Sequence, residues 1–141
     1  MKKIILLFAF SMLFSCSKSD SNTSNSPTAS STNDFHPPSW IQGNYKQTIG
    51  NNVIAQNGFN FSSNDLVVVT SAGSLLSQQG SVNSARTYGS QSVTVIETIT
   101  NTLYSAQINY PSGQSVIYAF DKISSTKIKW QAAPTAEFTK Q

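Results

Sequence analysis

Few side chains in this sequence are equipped for chemistry. It has one cysteine, Cys16, and one histidine, His36. A lone cysteine cannot close an internal disulfide, complete a tetrahedral metal site or form a redox pair. His36 stands just ahead of Pro37-Pro38 with no partner side chains beside it, so neither metal ligation nor acid–base catalysis is indicated. The six acids, Asp20, Asp34, Asp65, Glu97, Asp121 and Glu137, are dispersed. No two stand at a spacing that local structure would turn into a glycosidase-type pair. Serines are abundant, but none has a base to activate it, and no phosphate-binding glycine loop, nucleophile elbow or HExxH occurs. The expectation is a protein that is not an enzyme and uses no cofactor and no metal. Glu97 stands apart from the other acids. It shares a strand face with Val93, Val95 and Ile99, so it is a candidate polar handle inside a β-domain, although an outward, solvated glutamate is the commoner arrangement.

Cys16 takes its meaning from what precedes it. Lys2 and Lys3 form a positive start, and an apolar run from Ile4 to Phe14 is broken only by Ser11. That run is too short for a bilayer core, which needs roughly 20 residues, and fits the core of a signal peptide over residues 1–15. Leu13-Phe14-Ser15-Cys16 resembles the lipobox of bacterial lipoproteins, with Phe14 bulkier than the usual residue at its position. The resemblance implies that a diacylglyceryl group is attached to the Cys16 thiol, that the chain is cut just before it, and that acyl chains such as palmitate anchor the mature protein. Two or more such chains hold a protein stably where one does not. The implied location is the cell envelope, with the outer membrane expected and its face open. Ser17-Lys18-Ser19-Asp20 is a thin version of a surface-export signal.

Residues 16–36 contain no large apolar side chain before Phe35, so they read as a flexible polar tether. Cleavage also changes the charge. It removes Lys2 and Lys3 and no acid, leaving seven basic residues against six acidic ones. A chain so near neutrality has no electrostatic footprint for nucleic acid.

From residue 37 to 141 the pattern becomes that of an all-β domain. Only 11% of the 141 residues are charged, while Ser, Thr, Asn and Gln are plentiful, which suits strands and turns. Residues 40–46, 58–61 and 66–70 read as strands. So do 92–100, 103–110, 115–121, 126–131 and 137–139, which makes about eight with a turn every eight to twelve residues. Pro111-Ser112-Gly113 is a hairpin signal. In the later strands Tyr104, Ala106, Ile108 and Tyr110 share a face, as do Val116, Tyr118 and Phe120, and Ile128 and Trp130. No window shows helical periodicity. Residues 71–91, with Leu75 and Leu76 in a Ser/Gly/Gln-rich stretch, read as a loop, with a short helix or a lid over a barrel mouth as the alternatives.

Trp40-Ile41-Gln42-Gly43-Asn44-Tyr45, Phe59-Asn60-Phe61 and Ile128-Lys129-Trp130 together resemble the small lipocalin-like domains of bacterial lipoproteins. The resemblance covers residues 37–141 as a spread pattern and has no sharp motif. Gly43 matches the first-strand glycine of lipocalins, but Tyr45 stands at the tryptophan position and Trp40 lies three residues earlier. Lys140 is a candidate basic cover for that ring. The resemblance implies a small antiparallel up-and-down β-barrel that binds a small apolar ligand. The candidate ligand-facing residues are Phe59, Phe61, Glu97, Tyr118, Phe120 and Trp130. Their bulk argues for a packed interior, since each aromatic buries roughly 150–250 Å² and an eight-stranded barrel is barely wide enough for its own side chains. The alternative is therefore a solid scaffold that binds an envelope protein through its loops or strand edges. The membrane is the expected partner of the anchor, and a monomer the expected state.

Overall fold

The computed structural model describes residues 33–49, 52–90 and 92–141. The leader, Cys16 and the tether as far as residue 32 lie outside these residues. Among these described residues nine strands and one helix follow each other in sequence. They are β1 (Gly43–Ile49), β2 (Asn52–Phe61), β3 (Leu66–Val69), β4 (Leu75–Ser77), α1 (Gln78–Tyr88), β5 (Thr94–Ile99), β6 (Leu103–Asn109), β7 (Ser115–Lys122), β8 (Lys127–Trp130) and β9 (Glu137–Lys140). All strands belong to one antiparallel sheet in the order β4-β3-β2-β1-β9-β8-β7-β6-β5. Pairing of the first strand with the last joins two meanders into a curled half-barrel. It is open only between β4 and β5, the strands on either side of α1.

Alternation along the strands builds the core. Tyr104, Ala106 and Ile108 of β6 are fully buried, while the residues between them are half-exposed. Inward side chains continue from strand to strand in register. Tyr104 faces Phe120 and Phe120 faces Trp130; Ile128 faces Phe138, Tyr45 faces Phe59, and Phe59 faces Val68. Burial of so many aromatic and branched residues, at roughly 1.5–3 kcal/mol per side chain, is the main force holding the sheet curled.

Two glycines permit close approaches. The β1–β2 register slips between Lys46 and Thr48. There Gly58 lies so close to β1 that a Cβ would stand 1.9 Å from the Tyr45 carbonyl oxygen. Gly43 has φ +133° and lies beneath the Lys140 side chain, whose Cε would be 2.4 Å from an added Cβ.

Within the region read from sequence as a loop, residues 75–88 instead form β4 and α1, so the described residues hold nine strands, rather than about eight, and one helix. Ser77 caps α1 by accepting a hydrogen bond from the Gly80 amide at 2.8 Å. Asp65 reinforces this end, accepting from the Ser77 hydroxyl at 2.6 Å and the Gln79 amide at 2.9 Å. Helical periodicity is faint because α1 packs by a narrow contact, with Gln78 and Val82 its only buried residues.

The packed domain also begins before residue 37. Phe35 is 0% exposed and belongs to the core, so residues 34–36 are part of the fold and not of the tether.

Candidate binding site at the open end

The pairing registers place the connections 62–65, 100–102 and 123–126 and the end of β9 at one end of the half-barrel. The connections around residues 50, 72, 90, 112 and 134 lie at the other. The first end is closed and the second contains a hollow.

Residues 33–42 close the first end as a strap laid across the gap between β4 and β5. The strap starts beside Asp34, whose carboxylate accepts two hydrogen bonds from Arg86 of α1, at 2.7 and 2.8 Å. Arg86 also donates to the Val93 carbonyl at 2.7 Å. Burial raises the Asp34 pKa, but the bonds from Arg86 and Gln79 outweigh it and leave the carboxyl below its ordinary value. Further along, Glu97 accepts from the His36 amide at 2.7 Å and pairs with its Nδ1 at 2.9 Å. It accepts as well from the Tyr104 hydroxyl at 2.9 Å. Burial, and then the neighbouring Glu97 charge, push the Tyr104 pKa far up, so its hydroxyl stays a donor. The strap ends where the Trp40 indole donates to the Thr100 carbonyl at 3.0 Å, with Lys122 Nζ 5.5 Å from the Trp40 ring centroid. The ring beneath a basic cover is therefore Trp40 under Lys122, and Lys140 lies over Gly43.

The six candidate ligand residues divide accordingly. Phe59, Phe61, Phe120 and Trp130 form one aromatic cluster. Phe59 meets Phe120 edge-on at 4.7 Å and Trp130 at 5.3 Å, and Phe61 meets Phe120 at 5.0 Å and Tyr104 at 6.1 Å. These rings fill the interior through the closed end and the middle, as edge-to-face packing of this density does in cores. Glu97 turns inward, its side chain 12% exposed, but its oxygens are taken by Tyr104 and His36. It holds the strap and does not face the hollow. Tyr118 is half-buried against the core on β7, away from the hollow.

An apolar space remains toward the open end. A half-open hollow of about 220 Å³ is lined by Phe59, Val68, Trp130 and Phe138, with Asn57 and Thr70 among its polar residues. The Trp130 Nε1 is buried without a hydrogen-bond partner. A second hollow, about 300 Å³, is more polar and runs along β1 and β2 from Asn44 and Asn60, beside the closed end, past Lys46 and Gln56 to Leu75. Of the six candidates only Phe59 and Trp130 line the apolar hollow. Val68 and Phe138 were not singled out from sequence. The unbroken run Leu66-Val67-Val68-Val69 gives no alternation to show which valine faces inward, and Phe138 stands in a four-residue strand too short to read. Among the described residues no three His, Cys, Asp or Glu side chains come together as a metal site. Asp65, Asp121 and Glu97 each carry their own hydrogen bonds to neighbouring structure. No protein-family profile matches this chain, and searches among curated proteins and solved structures find nothing significantly similar.

Proposed function

We propose that this chain is a cell-envelope lipoprotein of non-catalytic type, anchored through Cys16, whose β-domain binds a small apolar ligand. The observation that carries the ligand half is the open-end hollow walled by Phe59, Val68, Trp130 and Phe138. The filled interior sets the ligand's size. An apolar cavity of about 150 Å³ takes a benzene ring, so this hollow suits one ring or a short aliphatic group and not a whole lipid. Asn57 and Thr70 stand where they would meet a polar substituent left outside.

Two measurements test the reading. Intact-mass analysis of the membrane fraction is expected to show loss of the first fifteen residues and a diacylglyceryl increment on Cys16; an uncut, unmodified chain would refute the anchor. Titration of the full chain with toluene is expected to shift the NMR signals of Val68 and Phe138 saturably, and Val68→Trp, which fills the hollow, should abolish the shift. Absence of any saturable shift would leave the second reading, a solid scaffold that binds an envelope protein. That reading draws on the unpaired outer edge of β5, a six-residue strand with no neighbour beyond it in the sheet.

A further inference from the structure

The more polar of the two hollows lies on the outer face of the sheet. Tyr45, Phe59 and Val68 face the core, so the alternation of their strands turns Asn44, Lys46, Asn60 and Val69 outward. Strand pairing carries one outward row from Lys46 through Gly58 and Val69 to Leu75, and another from Asn44 to Asn60. Gly58 adds no side chain between Lys46 and Val69, and these two border the hollow of about 300 Å³.

Its lining combines few chemical types. Four carboxamides border it, from Asn44, Gln56, Asn60 and Gln141, with Lys46 as the one charged residue and no carboxylate. Asn44 and Asn60 are directly opposed across β1 and β2, which sets their Cβ atoms roughly 4.5–5.5 Å apart. Among the described residues neither side-chain amide is bonded to protein. Lys46 donates to the Gln56 carboxamide at 3.2 Å and meets no acid among these residues. A lysine elsewhere on the outer face is matched, since Lys127 lies 3.2 Å from Glu137. Val69 and Leu75, the latter 65% exposed, add an apolar wall.

These features select a ligand class. A carboxamide offers donor N–H groups and an acceptor oxygen together. A simple anion only accepts, so it would suit Lys46 and leave the amide oxygens to water. An apolar molecule would desolvate the whole amide set without replacing its hydrogen bonds. Hydroxyl groups both donate and accept, and a ring that carries them has a C–H face to set against Val69 and Leu75. A half-open hollow of this volume is at the small end of ligand sites and suits a single ring.

We infer that the outer-face hollow binds one acidic sugar residue, free or at the end of a glycan, with hydroxyls on Asn44 and Asn60 and the carboxylate on Lys46. The site goes beyond the apolar hollow and stands apart from it, and it does not depend on the lipid anchor.

The test titrates the full chain with glucuronate, glucose and acetate and follows the side-chain amide NMR signals of Asn44 and Asn60. Glucuronate is expected to shift both saturably. Glucose should bind about tenfold more weakly, for want of one charge-assisted hydrogen bond, and acetate should not shift the signals at the same concentrations. Lys46→Gln should bring glucuronate down to the affinity of glucose and leave glucose itself unchanged, a result that loss of folding would not give. In the Asn60→Ala chain the Asn44 signal should respond to neither sugar. A uronic acid oligosaccharide that binds more tightly than glucuronate assigns the ligand to a glycan, and equal affinity assigns it to the free acid. No saturable shift with glucuronate overturns the site. So does an equal response to acetate, which reduces it to an anion contact, or to glucose, which removes Lys46 from it. Toluene reports on Val68 and Phe138 and the sugars on Asn44 and Asn60, so failure of either binding reading is seen separately from failure of the other.

Discussion

At the closed end of the half-barrel, rings pack edge to face, the strap covers them, and every carboxylate nearby is tied to a named donor. Asp65 caps α1, Glu97 holds His36 and Tyr104, and Asp34 grips Arg86. At the open end the same sheet leaves a hollow, a buried indole N–H without a partner, and apolar side chains turned to solvent. Exposed apolar surface forgoes its share of burial energy. One end is thus built for stability, while the other retains features that stability alone would remove.

Substitutions can break or sharpen this contrast. The largest effect is expected from Phe61→Ala, which opens a cavity among Tyr45, Tyr104 and Phe120 and should cost about 3–5 kcal/mol in chemical denaturation. Gly58→Ala forces a methyl against the Tyr45 carbonyl and should lower stability by about 1–3 kcal/mol, without touching the hollow's apolar walls. Asp34→Asn removes the charge from the Arg86 pair and should cost roughly 2 kcal/mol at neutral pH. Its effect depends on pH with a definite sign. Because the Asp34 pKa is lower folded than unfolded, its stabilisation is complete above the ordinary value of 3.8 and fades as pH falls through the folded value. Melting temperatures of wild type and Asp34→Asn should therefore converge in acid, and a gap that stayed constant to low pH would show that the charge is not what matters. The smallest effect belongs to the open end. Ile49→Ser and Leu75→Ser should change stability by no more than about 0.5 kcal/mol. A loss as large as that of Phe61→Ala would mean that this rim is packed in the native protein, and the contrast between the ends would disappear.

The inward faces of β6, β7 and β8 are legible in the sequence because each shows one clean alternation: Tyr104-Ala106-Ile108, Tyr118-Phe120, Ile128-Trp130. β4 and α1 are not. Leu75 and Leu76 have serines and glutamines around them, and α1 carries Gly80, Ser81 and Ser84, all poor helix formers. Its helical state is fixed by Ser77 and Asp65 at its start and by Arg86 reaching Asp34, contacts that couple residues up to 52 positions apart. His36 and Glu97 show the same limit. Each looks solitary in the sequence, yet they meet at 2.9 Å across 61 residues. The aromatic cluster was foreseeable as a set of bulky inward residues, whereas which of them border empty space was not.

The sequence by itself determined the all-β character, the inward faces of most strands and the crowding of the interior, because side-chain period and volume are local properties of the chain. Tertiary structure decided where the curled sheet stays open, which rings face the hollow, and that Glu97 serves the strap. Those outcomes depend on which connections the strand pairing places side by side, and pairing register is a property of the folded sheet that no single strand encodes.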